Sequence, residues 1–366
     1  MQVQRAQKLE IHFFDPGLEF FPQIREFLFL SEHSARWEAL EVDLRLSTAL
    51  VPHLAALRGR LPSLRKLRIA FRCPLYSDEL DLDSIDSIDC FETAPSLLDV
   101  DMTNIYPTSV HVPLPAHQLT AYRLQGPWDM HRRILKMAPN IVEARISLPE
   151  RWPPELGAPP IGPETSDPPI QMLHLRHLYV SDPQILNYFW APALAEIGLY
   201  STGQGTLVNH LDAFILRSSC APRRLCLEGE LECAITAELL NKHPFITSLV
   251  LICCSFGFGA VNAHFNMFST HGNRPVSFPH LREIYFGIKD SAKPIDYPLF
   301  LKMLECRRPT LSAAALLSRF GPPPDPVSLA GLNELEEEGL SLLINLKEGD
   351  VLRRLKEWTC GASWTC

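Results

Sequence analysis

Apolar residues recur along this chain in one short register. Leu175-x-x-Leu178-x-Val180 is followed at once by Pro192-x-Leu194-x-x-Ile197-x-Leu199, with the same offsets in both. The register returns before them at Ala6-x-x-Leu9-x-Ile11, Trp37-x-x-Leu40-x-Val42, Pro62-x-Leu64-x-x-Leu67-x-Ile69, Pro95-x-Leu97-x-x-Val100-x-Met102, Leu119-x-x-Tyr122-x-Leu124 and Pro139-x-Ile141-x-x-Ala144-x-Ile146. It returns after them at Cys220-x-Pro222-x-x-Leu225-x-Leu227, Pro244-x-Ile246-x-x-Leu249-x-Leu251 and Pro279-x-Leu281-x-x-Ile284-x-Phe286. A register repeated every few tens of residues makes each copy bury its apolar face against its neighbours, so the chain reads as a stack of units. The last two apolar positions of each copy alternate as in a strand, which predicts that Leu67, Ile69, Leu178, Val180, Ile197, Leu199, Leu249 and Leu251 are buried.

Between the copies the period changes to that of a helix. Phe20 to Leu30 with Pro22 at its start, Leu46 to Arg60, Trp128 to Met137, Gln204 to Arg217, Ala234 to His243 and Tyr297 to Arg308 predict helices. The acidic connector Asp78 to Asp89 predicts a short helix, and Phe265 and Phe268 fall at helical spacing. Strand then helix, with crossovers this long, predicts a parallel sheet. The fold class is therefore α/β: a solenoid, or horseshoe, with a parallel inner sheet and outer helices. Its average step of about 27 residues falls in the leucine-rich-repeat range. The predicted boundaries are a solenoid over 1–320 and a helical end-piece and tail over 321–366. Prolines packed into 149–170 predict a projecting loop there. Leu332 to Leu346 predicts a helix, and Leu352 to Trp358 a short basic segment.

Alternation also says which side chains face away from the helices, on the concave side of the sheet. That face is charged in the early repeats and aromatic or apolar in the later ones. Arginine offers planar donors for carboxylates and tyrosine a large contact area with a polar end. The candidate partner-binding residues are accordingly Arg123, Arg145, His177, Tyr179 and Tyr200, around the middle repeats.

Composition narrows the function. Hydrophobic residues at 46% and charged ones at 21% allow most of the chain to fold. A net charge of −8, spread along the chain, builds no basic field for nucleic-acid phosphate. The ten cysteines include the adjacent pair Cys253 and Cys254 and follow no disulfide framework, so they read as reduced core residues. The N-terminal residues carry charges where a signal peptide is apolar. Residues 244–263 are uncharged but interrupted by glycine and polar residues, which predicts a buried strand and loop rather than a membrane span. No nucleophile elbow, phosphate loop, metal-ligand set or dinucleotide fingerprint occurs in its required context, so no enzyme activity, cofactor or metal is expected. Cys220 with His210, and the Trp358-Thr-Cys360 and Trp364-Thr-Cys366 tail, supply too few partners for chemistry.

The openings Ala94-Pro95-Ser-Leu97, Ala138-Pro139-Asn-Ile141 and Ala191-Pro192-Ala-Leu194, the string Leu175 to Tyr179, and Ser218-Ser-Cys220 before Arg223 to Leu227 carry a family resemblance. The chain resembles the leucine-rich-repeat region of F-box proteins, in particular the expanded family of mushroom-forming fungi. The resemblance implies a protein-recognition module, the substrate receptor of a cullin-type ubiquitin ligase, with a cytoplasmic or nuclear location. Its partners would be a protein target on the concave face and, through an F-box, a Skp-type adaptor and cullin. An F-box opens on a Leu-Pro dipeptide followed by helices, whereas repeat material follows Met1 almost directly. The expectation is a repeat region without its F-box. The alternatives are a free-standing repeat scaffold and an enzyme with an unrecognised site.

Overall fold

The computed structural model describes residues 8–14, 21–45, 51–72, 87–104, 112–148, 168–202, 206–230, 232–254, 258–269, 277–289, 295–318, 322–345, 351, 353–355 and 357–358. The chain forms two compact units, Met1–Leu175 and Arg176–Cys366. The proline-rich loop at 149–167, most of the acidic connector (78–86) and the tail 359–366 lie outside the described residues.

In the first unit β1 (Leu9–Phe14), β2 (Trp37–Arg45), β3 (Lys66–Arg72), β4 (Asp99–Asn104), β5 (Ala121–Gln125) and β6 (Glu143–Ser147) pair in chain order, every pair parallel. The connectors include α1 (Phe21–Ser31), α2 (Val51–Leu54) and α3 (Trp128–Lys136); β7 (Ile170–Gln171) is a two-residue strand. The second unit carries β8 (His177–Val180), the short β9 (Phe189–Trp190), β10 (Glu196–Thr202), β11 (Arg224–Glu230), β12 (Ser248–Cys253), β13 (Glu283–Ile288), β14 (Ala313–Ser318) and β15 (Ser341–Asn345). Apart from β9 these pair in chain order, again all parallel. Its helices are α4 (Thr206–Ser218), α5 (Cys233–Lys242), α6 (Phe258–Phe268), α7 (Tyr297–Arg307) and α8 (Pro326–Glu337). The fold is thus the α/β leucine-rich-repeat solenoid that the register predicts.

The eight residues predicted to be buried are at most 3% exposed. They face the helices: Phe286 of β13 packs edge-on to Phe265 of α6, centroids 4.9 Å apart, and to Phe300 of α7, 6.2 Å apart. Successive repeats are joined by one recurrent hydrogen-bond motif. The carbonyl of Arg65 accepts from the N–H groups of both Leu98 and Asp99, and those of Leu98, Thr120, Arg176, Ala195, Arg223, Thr247 and Arg282 each accept two N–H groups from the repeat that follows. Aspartate with proline one or two residues after it starts several connectors. Asp296 accepts from Leu299 N at 2.9 Å, and Asp325 accepts from Val327 N and Ser328 N at 3.1 and 3.0 Å, each with proline in the first turn.

The structure revises the sequence reading in three places. In the first repeat Ile11, rather than Leu9, lies opposite Leu40, because an irregularity between Leu9 and Glu10 shifts the register. The strand ladder does not stop near residue 320 but continues from β14 to β15, which ends at Asn345. The predicted helix at 332–346 is half helix and half strand, α8 giving way to β15 after Gly339, whose φ of 100° ends the helix in a conformation suited to glycine. The uncharged stretch 244–263 forms β12 and the start of α6, and no helix among the described residues is long and apolar enough to cross a membrane.

Candidate functional site

Each strand presents every second side chain on the face opposite the helices, the front face. In the first unit, register places His12, Glu41, Arg68, Asp101, Arg123 and Arg145 in a single row across β1 to β6. Charges along it alternate almost throughout. Glu41 stands between His12 (Nδ1 at 2.9 Å) and Arg68 (Nη1 at 2.9 Å), and Arg68 Nε lies 3.7 Å from Asp101. Arg123 is held on both flanks: Nη1 donates to Asp99 at 2.9 Å, and Nε and Nη2 both donate to Glu143 Oε1 at 3.0 and 2.8 Å. Opposite charges on adjacent strands stabilise the sheet by a few tenths to about 1 kcal/mol per pair. Arg68 remains 42% exposed and His12 49%, whereas Arg123 is only 15% exposed. Arg123 therefore serves first as the cross-strand tie between β4 and β6. Arg145 is half-buried at the end of the row.

The front face of the second unit has a different chemistry in each row. One row, His177, Glu196, Arg224, Ser248 and Glu283, is polar. Arg224 lies 3.6 Å from Glu196, donates to Glu283 at 3.1 Å and to Ser248 Oγ at 3.0 Å, and sits over the Tyr285 ring. His177 Nδ1 is 3.6 Å from Glu196. The next row, Tyr179, Gly198, Cys226, Val250, Tyr285, Ala315 and Leu343, carries no charge. The third holds Tyr200, Glu228, Ile252, Gly287 and Leu317.

Tyr179, expected among the open contacts, is buried at 6% exposure. Its ring lies over Gly198, where a Cβ would come within 2.8 Å of Tyr179 Cδ2, and its hydroxyl donates to Glu228 Oε2 at 2.7 Å. Glu228, itself buried, also pairs with Lys289. The tyrosine thus crosses from β8 to β11 over Gly198 of β10, which has no side chain to block it. Tyr200 and His177 are half-buried on the front face.

The apolar row is covered. The described residues of 351–358 are helical, and Val351, Leu355 and Trp358 are buried in a cluster with Cys226, Val250, Ile252, Tyr285, Ala313, Ala315 and Leu317. Trp358 and Tyr285 lie with ring centroids 5.4 Å apart. Gly287 makes room for this segment, since a Cβ there would collide with Leu355 Cδ2. The sequence predicts here a short basic segment of a polar helical end-piece, where the structure buries an apolar face. Its signals were the i, i+4, i+7 spacing of Val351, Leu355 and Trp358, and a glycine at a front-face position in β13.

Cys220 and His210, weighed as a nucleophile and base, have other roles. Burial pushes the Cys220 thiol up to about 11, the opposite of nucleophile activation, and His210 pairs with Asn187 at 3.2 Å. Burial likewise pushes the Cys90 and Cys253 thiols up to about 12.

No protein-family model matches the chain, and no curated protein does. Among solved structures, the leucine-rich repeat-containing protein LegL7 from Legionella pneumophila aligns over 90% of this chain and 96% of its own, at 15% identity and a TM-score of 0.41. The TLR13–ssRNA13 complex aligns over 92% of this chain and 49% of that chain, at 13% identity and a TM-score of 0.38.

Proposed function

We propose that this protein is a recognition module that holds a protein target on the front face of its first unit, and that it serves as the repeat domain of an F-box type ubiquitin-ligase receptor. The observation that carries the recognition reading is the row from His12 to Arg145, with charges of both signs in register across six strands and His12 and Arg68 open to solvent. A partner surface of mixed charge can exchange ion pairs with such a row, which favours correct register and rejects partners that place like charges opposite it. Arg68, 42% exposed, is the contact of choice there, with Arg145 at the end of its row; Arg123, only 15% exposed, serves as a tie to Asp99 and Glu143. In the second unit His177 and Tyr200 are the remaining candidate contacts. The ligase role rests on the sequence resemblance, and no catalytic or cofactor role is assigned to any residue.

The test is affinity capture with full-length protein, wild type against Arg68→Glu with Arg145→Glu. The variant, folded by circular dichroism, should lose its principal protein partner at least tenfold, about 1.4 kcal/mol. Undiminished capture would place the site elsewhere. Co-capture of a Skp-type adaptor and a cullin supports the receptor role; their reproducible absence alongside a retained target leaves a free-standing scaffold.

A further inference from the structure

The C-terminal segment occupies a site that has the form of a helix-binding groove. Its floor is the uncharged row of β11 to β14, where Val250, Tyr285 and Ala315 stand in register, with Ile252 and Leu317 beside them. At the middle of that floor Gly287 leaves a socket, filled by Leu355. Trp358 packs on Tyr285 and Val351 joins the same cluster, so three side chains at i, i+4 and i+7 make the apolar contact. One edge of the floor is the polar row of Arg224, Ser248 and Glu283, already tied together by hydrogen bonds, which gives the groove a wet rim and a dry centre.

This contact differs in kind from the core behind the sheet. There, whole helices and strands bury apolar faces on each other, as Phe265, Phe286 and Phe300 do. On the front, a stretch of eight residues contributes three buried side chains to the cluster. The conformational entropy lost in ordering such a stretch is comparable to what burying three side chains returns. The segment's hold on the floor thus rests on three side chains, and a second helix that presents the same pattern would compete for the same socket.

We propose that the front face of β11 to β14 is a binding site for an amphipathic helix, kept closed by the chain's own 351–358 segment. The helix it takes carries aliphatic residues at i and i+4 and an aromatic residue at i+7, and it enters by displacing that segment. The proposal is independent of the partner proposed for the first unit, and its test needs no knowledge of that partner.

The probe is a fluorescein-labelled synthetic peptide of residues 347–360, titrated into full-length protein. Wild type, whose own segment competes, should bind it at least tenfold more weakly than a full-length Leu355→Asp, Trp358→Asp variant, whose segment is disengaged. Adding Gly287→Val to that variant fills the socket and should abolish binding. A folded double variant that binds the peptide no better than wild type, or binding indifferent to Gly287→Val, overturns the proposal. Should the double variant fail to fold, native-state hydrogen exchange on wild type decides. Amides at 353–358 are expected to exchange by a local opening that leaves β12 and β13 protected. Exchange of the segment only together with those strands would make it a fixed part of the fold and overturn the proposal.

Discussion

Leu355 fills the space that a side chain on Gly287 would need, so a glycine in β13 and a leucine beyond the last repeat specify each other. The contacts around the C-terminal segment follow from that fit. The Trp358 ring reaches Tyr285, and the apolar row of β11 to β14 is shielded from water.

Gly287→Val should therefore dislodge the segment without touching it. Overfilling a packed site costs about 1–3 kcal/mol. The expected result is a lower urea midpoint, and a red shift of Trp358 fluorescence before global unfolding. An unchanged emission maximum would show that the neighbours Ile252 and Leu355 absorb the added carbons.

Leu178 and Leu249 sit at equivalent positions of two repeats and are buried. Replacing either with alanine should cost about 2–5 kcal/mol. Denaturant unfolding of each variant checks this; a midpoint within error of wild type would contradict the register.

The repeats were legible in the sequence because leucine and isoleucine mark a buried strand position whatever surrounds it, as at Leu67, Ile197 and Leu249. The pattern faded where the same positions hold small residues. In β14 Ala314 stands opposite Ile284, and before β15 the buried leucine is Leu340, one residue out of the register that Leu281 and Leu311 keep. Alanine fits its position without announcing it, and the shifted leucine breaks the spacing. The candidate contacts were legible as to face but not as to exposure. Alternation puts Tyr179 on the front of β8, but only the absence of a side chain at Gly198, one strand away, lets its ring lie flat and bury itself. The ion pairs from His12 to Asp101 depend on cross-strand register, which no single repeat encodes.

His131 should make stability depend on pH. It is fully buried between Tyr122, whose hydroxyl donates to Nδ1 at 2.9 Å, and the Gly126 carbonyl, which accepts from Nε2 at 3.1 Å. Burial lowers its pKa from 6.5 to about 4. Above pH 6.5 the group is neutral in both folded and unfolded chains, and its contribution is complete. As pH falls from about 6.5 to about 4 the unfolded chain takes up the proton first, and roughly 3 kcal/mol of stability is lost; below about 4 this group causes no further change. The measurement is unfolding free energy at pH 7 and pH 4.5 for wild type and His131→Gln. The variant should lose less between the two, and equal losses would refute the assignment.

Arg307 is a buried clamp. Its guanidinium donates to the carbonyls of Ser277 and Phe278 at 2.5 and 2.8 Å and lies against the Phe268 ring, and burial lowers its pKa to about 10. Phe278 has a φ of 54°, a left-handed conformation that is uncommon for a bulky residue. Arg307→Met should cost about 2–4 kcal/mol, because two carbonyls lose their donor. Arg307→Lys should not restore wild-type stability, since a single ammonium lacks the planar fork. Recovery with lysine would show that charge alone holds the turn.

Tyr179 and Tyr200 were read from the sequence as equivalent contacts, and the structure separates them. Tyr179 is buried with its hydroxyl on Glu228, a carboxylate that is itself buried and depends on that donor and on Lys289. Tyr200, on β10, is half-buried. Removing a hydrogen bond to a buried charged group costs about 1.5–3 kcal/mol. Tyr179→Phe keeps the ring over Gly198 and deletes only the hydroxyl, so it should lower the unfolding free energy by about that much. Tyr200→Ala, at a half-buried position, should cost less than about 1 kcal/mol. The pair of urea titrations distinguishes a buried residue that ties the sheet from one whose side chain reaches the surface. If Tyr179→Phe proves neutral and Tyr200→Ala strongly destabilising, the roles assigned to these two side chains are reversed.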